Sequence, residues 1–126
     1  MKTRISAMLA VTATAMLGAC ASGPPPATEF PAGARAPAAA EIGPLVKGRS
    51  FKLGGGGVRV DYAADSDGIT AYFSGNVDHG TWRAEDGRVC SNFKNIPSAC
   101  SDLRLVGNDI YLKRSNGSVV QLVPRQ

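Results

Sequence analysis

From Leu45 onward apolar residues recur at every second position, and no window sustains the three-and-four spacing of an amphipathic helix. Val58, Val60 and Tyr62 alternate with Arg59 and Asp61; Ile69, Ala71 and Phe73 alternate with Thr70, Tyr72 and Ser74; Leu103 and Leu105 flank Arg104. Successive side chains of a strand point to opposite faces, so this alternation predicts half-buried strands. Asp67-Gly68, Asp86-Gly87, Gly107-Asn108 and Asn116-Gly117 each separate two such runs, and these pairs tolerate the positive φ of tight hairpins. The pattern predicts eight strands in a meander: Arg49–Leu53, Val58–Ala63, Gly68–Ser74, His79–Glu85, Arg88–Phe93, Asp102–Val106, Asp109–Ser115 and Ser118–Pro124.

So many short strands have long unprotected edges. The expected fold is therefore all-β, an antiparallel meander curled into a barrel or a two-layer sandwich. Alternation places Phe73, Trp82, Ala84, Val89, Leu105, Ile110, Leu112, Val120 and Leu122 inside. Aromatic residues make up only 6% of the 126, which predicts a filled interior and a small core that gains from a covalent staple.

Upstream of Leu45 the pattern changes twice. Lys2 and Arg4 precede an uncharged apolar run from Ile5 to Leu17, the layout of an export signal. The run is too short to cross a bilayer, which takes about 20 residues. Residues 21 to 44 follow, of which 17 of 24 are Ala, Pro or Gly. Proline removes backbone donors, and the few apolar groups cannot offset the entropy of ordering, so this stretch is expected to be a disordered spacer holding the domain clear of the lipid headgroups. The expected organisation is a signal over 1–19, a modified Cys20 and tether over 20–44, and the β domain over 45–126.

Setting aside Lys2 and Arg4 leaves 12 cationic against 10 anionic side chains, interspersed along the chain. Nothing here could track a phosphate backbone, and no nucleic-acid partner is expected. Cys90 and Cys100 form an even pair in an exported domain, which reads as a disulfide. The alternative, redox catalysis, prefers two cysteines separated by two residues at a helix N-terminus.

No catalytic constellation emerges. His79 is the only histidine, and a turn residue is the expected role; one His cannot build a metal shell or, without a positioned Ser or Cys, a triad. Asp65-Ser66-Asp67-Gly68, with Asp61 nearby, partly matches a calcium loop, but Asn76 stands where the twelfth-position Glu belongs, and a solvated hairpin is expected instead. Gly54–Gly57 lacks the Lys-Ser/Thr of a phosphate loop and reads as a hairpin tip. Glu85 and Asp86 are adjacent and point apart, so they cannot flank a substrate as an acid/base pair. Neither cofactor, metal nor enzymatic turnover is expected.

Three resemblances add to this reading. Leu17-Gly18-Ala19-Cys20 resembles the lipobox of bacterial lipoproteins, which implies a diacylglyceryl group on the Cys20 thiol, cleavage before Cys20 and usually an acylated amine. Ala21, in place of an Asp that retains enteric lipoproteins at the inner membrane, leans towards the outer membrane. Gly80-Thr81-Trp82, Asp86-Gly87-Arg88-Val89-Cys90, Cys100, Gly107-Asn108-Asp109 and Tyr111 resemble a pattern in small exported proteins of alphaproteobacteria. That likeness implies a disulfide-bearing β domain outside the cytoplasm and brings no catalytic residues. A looser likeness is to small lipoprotein inhibitors of lysozyme, although their Ser- and Tyr-bearing inhibitory loop is not found. The expected function is a membrane-anchored envelope lipoprotein acting by contact with an envelope protein or the cell wall. The alternatives are inhibition of a lysozyme-type hydrolase and a barrel that carries a small ligand.

Overall fold

The computed structural model describes residues 25–125; the signal, the lipobox and Cys20 lie outside the described residues. A short helix α1 (Ala39–Val46) precedes eight strands: β1 (Ser50–Leu53), β2 (Arg59–Tyr62), β3 (Gly68–Phe73), β4 (Asn76–Glu85), β5 (Arg88–Phe93), β6 (Ala99–Val106), β7 (Asp109–Lys113) and β8 (Val119–Pro124). Every strand pairs antiparallel with its neighbour in sequence, and β1 pairs with β8, so the meander closes into a barrel. Closure removes the sheet edges, which settles the choice between barrel and sandwich.

All eight predicted strands are present, and two of them, β4 and β6, start three residues earlier than expected. β4 begins at Asn76 instead of His79 because Ser74-Gly75 is a two-residue turn with φ of 48° and 76°. Positive φ at both central positions is the type I′ geometry that matches strand twist. His79 is therefore no turn residue. It sits within β4, exposed, opposite Thr70. β6 begins at Ala99 instead of Asp102, which makes Cys100 the direct cross-strand partner of Cys90. The disulfide joins these two residues and closes the hairpin below the loop 94–98. On the chain-entropy argument, a Cys90→Ala/Cys100→Ala protein should lose about 2.5–3 kcal/mol of stability. Urea unfolding with an unchanged midpoint would show that the strands need no staple.

The core prediction needs three corrections. Trp82, Val89, Leu105, Ile110 and Leu122 are buried, while Phe73, Ala84 and Leu112 are half-buried against them. Val120 is also only half-buried, and its neighbour Val119 is buried instead, where its N–H donates to the carbonyl of Ala27 at 2.7 Å. The third correction concerns the segment expected to be a disordered tether. Arg35 exchanges two backbone hydrogen bonds of 2.9 Å with Leu105, Pro37 is fully buried, and Ile42 and Val46 of α1 are 0% exposed beside Phe51 and Leu103. Residues 35–44 thus belong to the domain, and the boundary expected at Leu45 falls inside a helix.

The helix is short, and Pro44 within it costs a backbone bond, so it stands by tertiary support. Ala39 at its start donates its N–H to the Asp86 carboxylate at 2.8 Å, placing negative charge at the positive end of the helix. The Glu41 side chain reaches back to the Ala38 N–H at 3.4 Å. Ile42 and Val46, four residues apart, form one apolar face that plugs the barrel end bearing the Asp67 and Asp86 turns.

Candidate barrel-mouth site

Strand direction defines the opposite end of the barrel, where the loops 54–58, 74–75, 94–98 and 114–118 gather. A cavity of about 280 Å³ opens among them. Its walls are inward-facing positions of the strands, including Leu53, Val60, Val89, Phe93, Leu112 and Leu122, and Tyr62 lies at its base. The expectation of a filled interior is corrected by half: the aromatic and helical packing fills one end and stops short of the other.

Aromatic side chains form the boundary between the two halves. The Tyr62 ring meets Trp82 edge-on at 5.4 Å and Phe51 at 6.0 Å. Burial pushes the Tyr62 phenol up to about 12, so the cavity base is uncharged at any physiological pH. The Trp82 Nε1 is buried without an acceptor among the described residues.

The roof is the loop Lys94–Ser98, whose Ile96, Pro97 and Ser98 line the cavity. Asp78 holds it in place. The register Ala71↔Asp78 and Ile69↔Gly80 puts Asp78 on the inner face of β4, and the residue is 2% exposed. Its carboxylate accepts the N–H of Ile96 at 2.7 Å, the N–H of Asn95 at 2.9 Å, the Asn95 amide at 3.2 Å and the N–H of His79 at 3.0 Å. Burial pushes the Asp78 carboxyl up, but the donors from Ile96, Asn95 and His79 together outweigh it and leave the group below the usual carboxylate range. A buried charge is tolerated here because four donors are aimed at it.

The rim is cationic. Arg114 follows Ile110 and Leu112 at period two, so it continues the inward face of β7, and it lines the cavity beside Ser115. Arg114 takes part in no ion pair among the described residues. The mouth loops carry Lys94 and Arg114 and no acidic residue, whereas the plugged end carries Asp65, Asp67, Asp86 and Asp109.

Other sequence candidates are separate from this site. His79 Nδ1 lies 3.2 Å from Thr70 Oγ1 on the outer face, and Asp61 pairs with Thr70 from the far side. The hydroxyl thus stands between carboxylate and imidazole, the wrong order for a base oriented by an acid, and Asp61 instead faces Arg59 at 3.2 Å. Glu85 and Asp86 do point apart, the first to Arg83 at 2.8 Å and the second to α1. Glu85 neighbours both sulfurs of Cys90 and Cys100, but these are spent in the disulfide and supply no thiolate to a metal. The Asp65–Asp67 segment is a hairpin turn, in which Ser66 Oγ accepts the Gly68 N–H at 3.2 Å.

Sequence reasoning missed Asp78, Ile96 and Arg114. A signal existed for two of them: Arg114 is in phase with Leu112 inside the predicted strand Asp109–Ser115, and Asp78 is in phase with Trp82 one position ahead of the predicted strand His79–Glu85. Ile96 carried none, because its place depends on how the loop folds back. The chain matches no protein family, no curated protein and no solved structure. What fold and site define is a class: a disulfide-stapled, eight-stranded closed barrel, plugged by a helix at one end and open at the other.

Proposed function

We propose that this protein is a non-catalytic lipoprotein of the bacterial cell envelope, anchored through Cys20, whose barrel acts by binding at its mouth. The observation that carries this reading is where the N-terminal segment joins the barrel. Ala27 is bonded to Val119, the first residue of β8 at the mouth end. From there the chain runs along the outer wall, with Phe30 under the Arg104 guanidinium at 5.2 Å and Arg35 on β6, to reach α1 at the plugged end. An acylated Cys20 would be only seven residues from Ala27, a reach of about 25 Å at full extension. That leash is far shorter than a free tether running to Pro44, and it keeps the open, cationic end near the lipid surface.

Two or three acyl chains on one residue make a durable anchor, where a single chain binds marginally. Cells fed labelled palmitate should label the wild-type protein and leave a Cys20→Ala variant unlabelled and absent from the membrane fraction. A labelled Cys20→Ala protein, or an unlabelled wild type, would overturn the anchoring.

A further inference from the structure

We propose that the barrel mouth binds the acyl chain of an anionic amphiphile, with the tail in the cavity and the negative head on Arg114. This deepens the binding role proposed above and rests on the anchoring only for the nearness of lipid. The size of the tail follows from the volume. An apolar cavity of about 150 Å³ takes benzene, so about 280 Å³ accommodates a tail on the order of ten carbons. Leu53, Val60, Val89, Phe93, Leu112 and Leu122 offer that tail a largely apolar wall, and the neutral Tyr62 closes the end.

The charge of the head follows from the rim. Arg114 lies one residue past β7 in phase with its inward face, has no carboxylate partner among the described residues and sits where an amphiphile's head would emerge. The Asp78 carboxylate cannot compete for it, because four donors already occupy its oxygens. With Lys94 on the roof loop and no acid in any mouth loop, the rim favours an anionic head over a cationic one. The groove between α1 and β4 is larger, about 640 Å³, but Ala39, Ala40 and Gly43 line it shallowly and Lys47 and Asp67 face each other across it at 3.9 Å. It offers neither enclosure nor a free charge.

The test uses the full-length protein in phosphatidylcholine vesicles with decanoic acid carrying a photoactivatable diazirine near its methyl end. Irradiation should attach the probe to the peptides bearing Phe93, Leu112 or Leu122. Unlabelled fatty acids should compete roughly fourfold better per added methylene up to about ten carbons and then level off. Decylamine should compete at least tenfold less well than decanoate. Leu112→Trp, which fills the cavity, should abolish attachment. Arg114→Gln, an exposed change that leaves the fold intact, should erase the preference for decanoate over decylamine.

A second arm replaces the free acid with phosphatidylglycerol carrying the diazirine on an acyl chain. Attachment at the cavity in either arm supports the proposal and identifies the source as free acid or membrane lipid. Attachment in neither arm, attachment only on outer-face residues, or equal competition by decylamine would overturn it. The free-acid arm repeated on Cys20→Ala separates the two readings, since cavity attachment there stands even if the anchor reading fails.

Discussion

A Gly80→Ala protein should fail to reach the native barrel, or reach it with about 3 kcal/mol or more of lost stability. Gly80 lies opposite Phe93, and a methyl group built on it would stand 2.3 Å from the Asn92 carbonyl oxygen and 2.8 Å from the Phe93 Cα. The obstacle is backbone on both counts, so no side chain can swing aside, and β4 and β5 would have to separate at this pair. Glycine inside a strand usually marks such a close approach. Thermal unfolding of the variant checks this; a melting temperature within a few degrees of wild type would mean that the two strands part easily at that point. Glycines of the β1–β2 loop make useful controls, because Gly55 and Gly57 have nothing within 4 Å of the position a methyl group would take and should accept Ala at little cost.

Asp78→Asn should unlatch the roof of the cavity while leaving the barrel closed. An amide at this position turns one of the two acceptor oxygens into an N–H₂, so either the Ile96 and Asn95 N–H bonds or the His79 N–H and Asn95 amide bonds have to break, and those that remain lose their charged acceptor. Hydrogen exchange at the Asn95 and Ile96 amides should quicken roughly ten- to hundredfold, as expected for losing a hydrogen bond to a charged acceptor. Exchange in β7 and β8 should stay as it is.

The same contact sets an acid dependence. The folded-state carboxyl lies below its ordinary value, so its contribution is complete above the unfolded value of about 3.9 and is lost as pH falls through the folded one. The wild-type loop should therefore loosen in acid and the Asp78→Asn loop should not. Equal pH profiles for the two proteins would remove Asp78 from the latch.

How much of this could be read from the chain depends on the range of the interaction. The strands were legible because alternation and turn glycines act between near neighbours: Asp86-Gly87 and Gly107-Asn108 each turn where the residues say. The Ser74-Gly75 turn was not, because a serine at positive φ is uncommon and gave no cue. Helix α1 escaped for a related reason. Eight residues interrupted by Gly43 and Pro44 are too few to hold a helix by themselves, and what holds them is a carboxylate 47 positions away and a barrel end that needs covering. The composition of residues 35–44 suggested disorder, which is what such a segment would do without Leu105 and Asp86 to dock against.

The candidate site shows the same division. Cys90 and Cys100 pair as the chain suggested, since two cysteines ten positions apart offer one partner each. The roof loop, the latch and the inward arginine exist only once eight strands have closed. Local patterning by itself determined the strand order, the staple and an all-β class, because each rests on residues a few positions apart and on a two-residue period. Closure, the end the helix plugs, the volume left open and the join of the N-terminal segment to the mouth were decided by tertiary structure alone. Those depend on contacts between residues such as Ala27 and Val119 that no short window of sequence contains.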